Sequence, residues 1–122
     1  DSLYKSANET NMKYYNEKKM KNLRLKIEKE VLSWSEVTTK KMYGCPCYKY
    51  KDKLFAFMVT DGVVLTKASE KDKILLSQEF TITPFQAATR TIKAWPQIPI
   101  DEKSDIEKII TFIKNSYNQS KT

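Results

Sequence analysis

The stretch Lys40-Lys41-Met42-Tyr43-Gly44-Cys45-Pro46-Cys47-Tyr48 decides how the chain folds. It holds one of the two glycines, one of the four prolines and both cysteines. A Lys-rich helical pattern precedes it and β-patterned segments follow it, so it marks the joint between the first helix and a sheet. Gly44 suits a bulge or a close backbone approach. Pro46 has no N–H to give to a ladder, which puts this strand at an edge or makes it irregular there. Tyr48 and Tyr50 continue it with a period of two.

Upstream, Met20, Leu23, Ile27, Val31 and Trp34 recur at spacings of three and four. That spacing predicts an amphipathic helix from Glu17 to Trp34. Lys18, Lys21, Arg24 and Lys29 fall mostly off its apolar face, as on a surface helix docked against a sheet. Residues 1–16 are polar apart from a few aromatic and apolar positions such as Tyr4, Met12, Tyr14 and Tyr15, and read as an arm or a lead-in helix.

Downstream, Lys51-Asp52-Lys53 is a turn and residues 54–59 are a buried central strand. Asp61-Gly62 is a two-residue hairpin signal, and residues 63–66 form the return strand. Ser69 caps a short helix that ends near Gln78, with Ile74 and Leu75 on its buried face. Residues 80–85 read as a connection with Phe85 as a core plug. Residues 89–95 read as a strand, with Thr91, Lys93 and Trp95 on one face and Arg90, Ile92 and Ala94 on the other. Pro96 and Pro99 keep the backbone extended around Ile98. Ser104-Asp105-Ile106-Glu107 is a capping box before a helix striped by Ile106, Ile109, Ile110, Ile113 and Tyr117. The expected organisation is one α+β domain over 17–118 and a polar tail over 119–122.

The chain has 122 residues. That is one domain's length, enough to bury a core without disulfide or metal staples. No run approaches the ~18 apolar residues of a membrane helix. The first residues lack the apolar segment of a signal peptide. With only two cysteines as well, a cytoplasmic, membrane-free protein is expected.

The net charge is +7. A basic balance invites nucleic acid. However, only Arg24 and Arg90 of the 22 basic residues are arginine, the side chain that makes bidentate contacts to guanine and phosphate. The excess is also spread along the chain. A solvated Lys-rich surface is the plainer account, and a nucleic-acid accessory domain is kept as the alternative.

The chain has no histidine, so the commonest general base and transition-metal ligand is missing. Cys45-Pro46-Cys47 is the one constellation able to carry chemistry. On a strand the two cysteines share a face. Structural zinc would need two more ligands, and a redox pair has two intervening residues at a helix start. Both thiols therefore read first as small buried hydrophobes, with a thiol site as the functional alternative. Asp52, Asp61, Glu70 and Asp72 sit in turns and caps. No catalytic, cofactor-binding or metal-binding residue is assigned, no cofactor is expected, and the protein is read as non-enzymatic.

In order and spacing these segments resemble the TfoX N-terminal domain family. Lys41-Met42-Tyr43-Gly44-Cys45-Pro46 resembles its Lys/Arg-Met-Phe-Gly signature. The run from Lys53-Leu54-Phe55-Ala56-Phe57 through Asp61-Gly62 to Leu65-Thr66-Lys67 is similar to its central hairpin. Pro84-Phe85 and the segment from Trp95 to Pro99 match further marks, and the Ile-rich end is similar to YjbR-like domains. Tyr43 replaces the usual Phe, and Cys45 and Cys47 fall where small or apolar residues are common. The resemblance implies a two-layer fold, α-β-β-β-α-β-β-α, with an antiparallel sheet packed against helices. It also implies self-association as homodimers and kinship to a competence regulator. The expected role is a regulatory or protein-interaction module.

Overall fold

The computed structural model describes residues 14–122. Most of the arm read over 1–16 lies outside the described residues. Its end belongs to the domain, since Tyr15 is buried and Asn16 caps the first helix.

Among the described residues six antiparallel strands form one sheet in the order β1-β2-β3-β4-β6-β5. The strands are β1 (Val37–Met42), β2 (Cys45–Tyr50), β3 (Lys53–Val59), β4 (Gly62–Leu65), β5 (Thr83–Ala87) and β6 (Arg90–Pro99). The helices are α1 (Glu17–Val31), α2 (Glu70–Glu79) and α3 (Ile106–Ser120). This is the α+β class read from the sequence, with helices before, between and after two groups of strands.

The residues read as one strand through Gly44 form a hairpin. Met42 lies opposite Cys45, so Tyr43-Gly44 is a two-residue turn. Both turn residues have positive φ, 51° and 80°. Such a turn matches the twist of the strands it joins, and glycine meets its demand at no steric cost. The other glycine works differently. Val59 pairs with Gly62, so Thr60-Asp61 is the turn and Gly62 opens β4. Asp61 takes the positive φ of 59°. A Cβ on Gly62 would sit 3.1 Å from the side chains of Gln97 and Val59, so this glycine permits close packing.

α1 buries Met20, Leu23, Ile27 and Val31, as the spacing predicts. α3 buries Ile109, Phe112, Ile113, Ser116 and Tyr117. Ile106 and Ile110, read into that stripe, are only partly buried and flank the core. Its N-cap is Asp105, one residue later than the capping box suggests, because Ser104 bonds to Asp101 instead. Residues 119–120, read as tail, are the last turn of α3, and Ser120 is buried. In α2 the buried apolar residue is Leu76, while Ile74 and Leu75 are exposed. A short helix with one apolar contact row cannot bury three successive residues.

α1 and α3 cover one face of the sheet. Tyr48 reaches Glu28 of α1, while Phe55 and Tyr50 pack edge-on against Tyr117 of α3. A β-bulge sets the facing of β3. Tyr48 lies opposite Ala56 but Lys49 lies opposite Leu54, which leaves Phe55 without a partner. The extra residue lets Phe55 point to the helices and Phe57 to the other face.

Candidate functional site

The face away from α1 and α3 holds a cleft of about 440 Å3 with almost wholly apolar walls. One side is the β1–β2 hairpin, through Met42, Tyr43, Cys45 and Cys47. The floor is Leu54 and Phe57 of β3. The far side is Phe85, Ala87, Ile92 and Trp95 of β5 and β6, and Tyr14 closes one end.

Local backbone chemistry makes this shape. The 80–85 segment read as a connection ends in a strand, with Pro84 tolerated because β5 is an edge. Pro84 lies opposite Pro96 but Phe85 lies opposite Ile92, so β6 carries extra residues there. That irregularity undoes strict alternation and brings Ile92 and Trp95 to the same cleft. Phe57, Phe85 and Trp95 then form an aromatic cluster, with Phe57 edge-on to both neighbours at ring-centre distances of 5.0 and 5.8 Å. Tyr14 tilts against Phe85 at 6.2 Å, and its hydroxyl accepts from the Ala88 N–H at 2.9 Å.

Both cysteines are free and buried in this wall. The Cys47 thiol donates to the Cys45 carbonyl at 3.4 Å, and the Cys45 thiol points at the Tyr43 carbonyl at 4.0 Å. Burial pushes the Cys45 thiol up to about 12 and raises Cys47 also. Thiols kept protonated at neutral pH are poor nucleophiles and poor peroxide sensors. Strand geometry holds their Cα atoms roughly 6.6 Å apart with parallel Cβ bonds, which disfavours a disulfide.

The family-like residues divide among several places. Met42, Tyr43, Phe85 and Trp95 line the cleft together with Cys45 and Cys47. Phe55 faces α3. Lys41 and Pro46 lie opposite each other beside Glu17, Arg24 and Glu28. Asp61 pairs with Lys19 at 2.8 Å, Gly62 opens β4, and Pro84 sits on the edge strand. The sequence reading does not single out Leu54, Ala87, Ala88 or Ile92 as cleft residues. Recognising β5 as the partner of β6 would have found Ala87, Ala88 and Ile92, whereas Leu54 reaches the cleft through the bulge at Phe55.

On the helix side a polar network joins three segments. Tyr48 donates to Glu28, Arg24 donates to both Glu28 and Glu17, and Tyr15 donates to Glu17. Every carboxylate oxygen in it is engaged, as the largely buried charge of Glu28 requires. Among the described residues no group of three or more His, Cys, Asp or Glu could hold a metal ion. No helix among them is long and apolar enough to cross a membrane.

Lys51, Lys114 and Lys121 lie over the rings of Tyr50, Trp34 and Tyr117. This cluster sits near the C-terminal end of α3, where the helix dipole favours cations and opposes phosphate. Compared with models of known protein families the chain matches none, and it matches no curated protein.

Proposed function

We propose that this domain is a non-enzymatic binding module that takes a small apolar molecule into the cleft on the face of its sheet away from α1 and α3. One observation carries this reading: a cleft of about 440 Å3 walled by Phe57, Phe85, Trp95, Met42 and two protonated thiols. Small-molecule sites run from about 300 to 1,000 Å3 and are mostly apolar with few polar groups. An apolar occupant would displace water from walls that offer it few hydrogen bonds. A regulatory role follows if occupancy stiffens the β1–β2 hairpin, which forms one wall. Kinship with the TfoX N-terminal family belongs to the same proposal. It is supported by motif order and by an element order that differs from the family's only in the Tyr43-Gly44 hairpin, which makes two strands of the first one.

Trp95 lies in the wall, while Trp34, the other tryptophan, packs under Tyr117 on the helix side. Titration with uncharged naphthalene and medium-chain alkyl probes should change Trp95 emission saturably at one site. Ala87→Phe should abolish this while leaving circular dichroism unchanged. Equal response in both proteins would refute the cleft as the site. A mass that doubles with concentration in the wild type but not in Ala87→Phe would assign the face to a second copy instead.

A further inference from the structure

One wall of the cleft carries three sulfur-bearing side chains, Met42, Cys45 and Cys47. Met42 and Cys45 are directly opposed across the Tyr43-Gly44 turn. Directly opposed residues share a sheet face with Cβ atoms about 4.5–5.5 Å apart. Cys47 is two residues beyond Cys45, on the same face. Both thiols lean the same way along the strand, Cys47 Sγ to the Cys45 carbonyl at 3.4 Å and Cys45 Sγ to the Tyr43 carbonyl at 4.0 Å. All three side chains line the same cleft.

From this we propose that Met42, Cys45 and Cys47 form a site for one soft, monovalent metal ion, Cu(I), bound by two thiolates and a thioether. The chemistry selects it. Thiolate and thioether sulfur favour Cu(I) over hard cations. Zinc wants four ligands, and among the described residues no carboxylate or histidine accompanies the thiols to complete a set. The apolar walls of Leu54 and Phe57 keep water and oxygen ligands away. Binding forms two Cu–S bonds to thiolate and one to thioether. Each thiol releases its proton to solvent, copper stays Cu(I), and no electron moves. The bound site carries one net negative charge. Lys40, opposite Cys47, and Lys49, two residues beyond it, are placed to offset that charge. The burial that leaves the thiols inert toward oxidants does not block a metal that displaces their protons. This inference does not depend on the apolar-ligand reading.

The test is competition for Cu(I), under anaerobic reducing conditions, between the full chain and a chromogenic Cu(I) chelator. The wild type should withhold one equivalent. Cys45→Ser and Cys47→Ser should each lose affinity at least 100-fold, and Met42→Leu about 10-fold. Circular dichroism of each variant shows that it is folded. X-ray absorption of the loaded wild type should show three sulfur neighbours, and Met42→Leu two. Met42→Leu is exposed enough to fold even where a cysteine variant does not, so it decides the site alone. Failure of the wild type to withhold copper overturns the proposal. So does binding unaffected by Met42→Leu, or equal retention of Zn(II).

Discussion

The hydroxyl of Tyr48 on β2 donates to Glu28 Oε2 on α1 at 2.7 Å. Arg24 holds the other oxygen of the same carboxylate at 2.8 Å. Burial, and then the bond to Glu28, push the Tyr48 hydroxyl well above the usual tyrosine range, so it remains a donor at any working pH. Tyr48→Phe keeps the ring and removes the donor. A hydrogen bond to a charged group contributes about 1.5–3 kcal/mol. Urea melts should show a loss in that range with an unchanged slope. A loss below about 0.5 kcal/mol would mean that water replaces the hydroxyl, a substitution the buried site should forbid.

Glu17 gives the network a pH signature. The hydrogen bond from Arg24, opposed in part by burial, holds its carboxyl below the ordinary value of 4.5. A depressed folded value means stability that is present above pH 4.5 and fades as the pH falls through the lower value. Glu17→Gln should flatten that acid limb and leave the curve near neutral pH closer to wild type. The side chain is 44% exposed, so salt should weaken the effect. An acid limb with the same slope in both proteins would place the titrating group elsewhere.

Ser116 has no counterpart in the apolar stripe read from the sequence, yet it is fully buried. Its hydroxyl donates to the Phe55 carbonyl at 2.7 Å and accepts from the Lys67 N–H at 3.1 Å. It thereby gives the carbonyl of the bulge residue a second donor beside the Thr66 N–H. Ser116→Ala would leave the Lys67 N–H without that partner, at about 1–3 kcal/mol for an unsatisfied group, while the Phe55 carbonyl keeps the Thr66 N–H. Thermal unfolding should fall by several degrees. No shift would show that water enters beside the bulge.

Much of the fold is legible because periodicity reports burial. The stripe Met20, Leu23, Ile27, Val31 and the run 54–59 name their elements without tertiary information. The cleft is far less legible. Its floor depends on the bulge at Phe55 and on the slip between Pro84 and Phe85, each of which breaks alternation. Such register shifts are tertiary events that a local pattern cannot carry. Likewise Ile74 and Leu75 look buried only until the single contact row of α2 is known to run through Leu76. The cysteines were visible, and so was their common face, but not the apolar cleft that they border.

The β1–β2 turn supplies the last prediction. Gly44 has φ 80° and Tyr43 has φ 51°. A β-branched residue is a true outlier in that region. Gly44→Val should therefore destabilise by about 1–3 kcal/mol, the range for strained backbone. Cys47→Ala should lose about 1 kcal/mol or less, since it removes one atom from a wall that already borders a cleft. Cys45→Ser falls between, because its hydroxyl has the Tyr43 carbonyl within reach. Tyr43 moves the other way. It is 70% exposed at a position where asparagine is the favoured residue. Tyr43→Asn should thus stabilise by up to about 1 kcal/mol, the lower end of the left-handed penalty. It should also weaken apolar probe binding, because Tyr43 lines the cleft. Urea melts paired with the Trp95 titration separate the two effects. If Tyr43→Asn gains stability and keeps full probe affinity, the tyrosine is not part of the binding wall. If Gly44→Val melts with the wild type, the turn does not hold the positive φ that the hairpin requires.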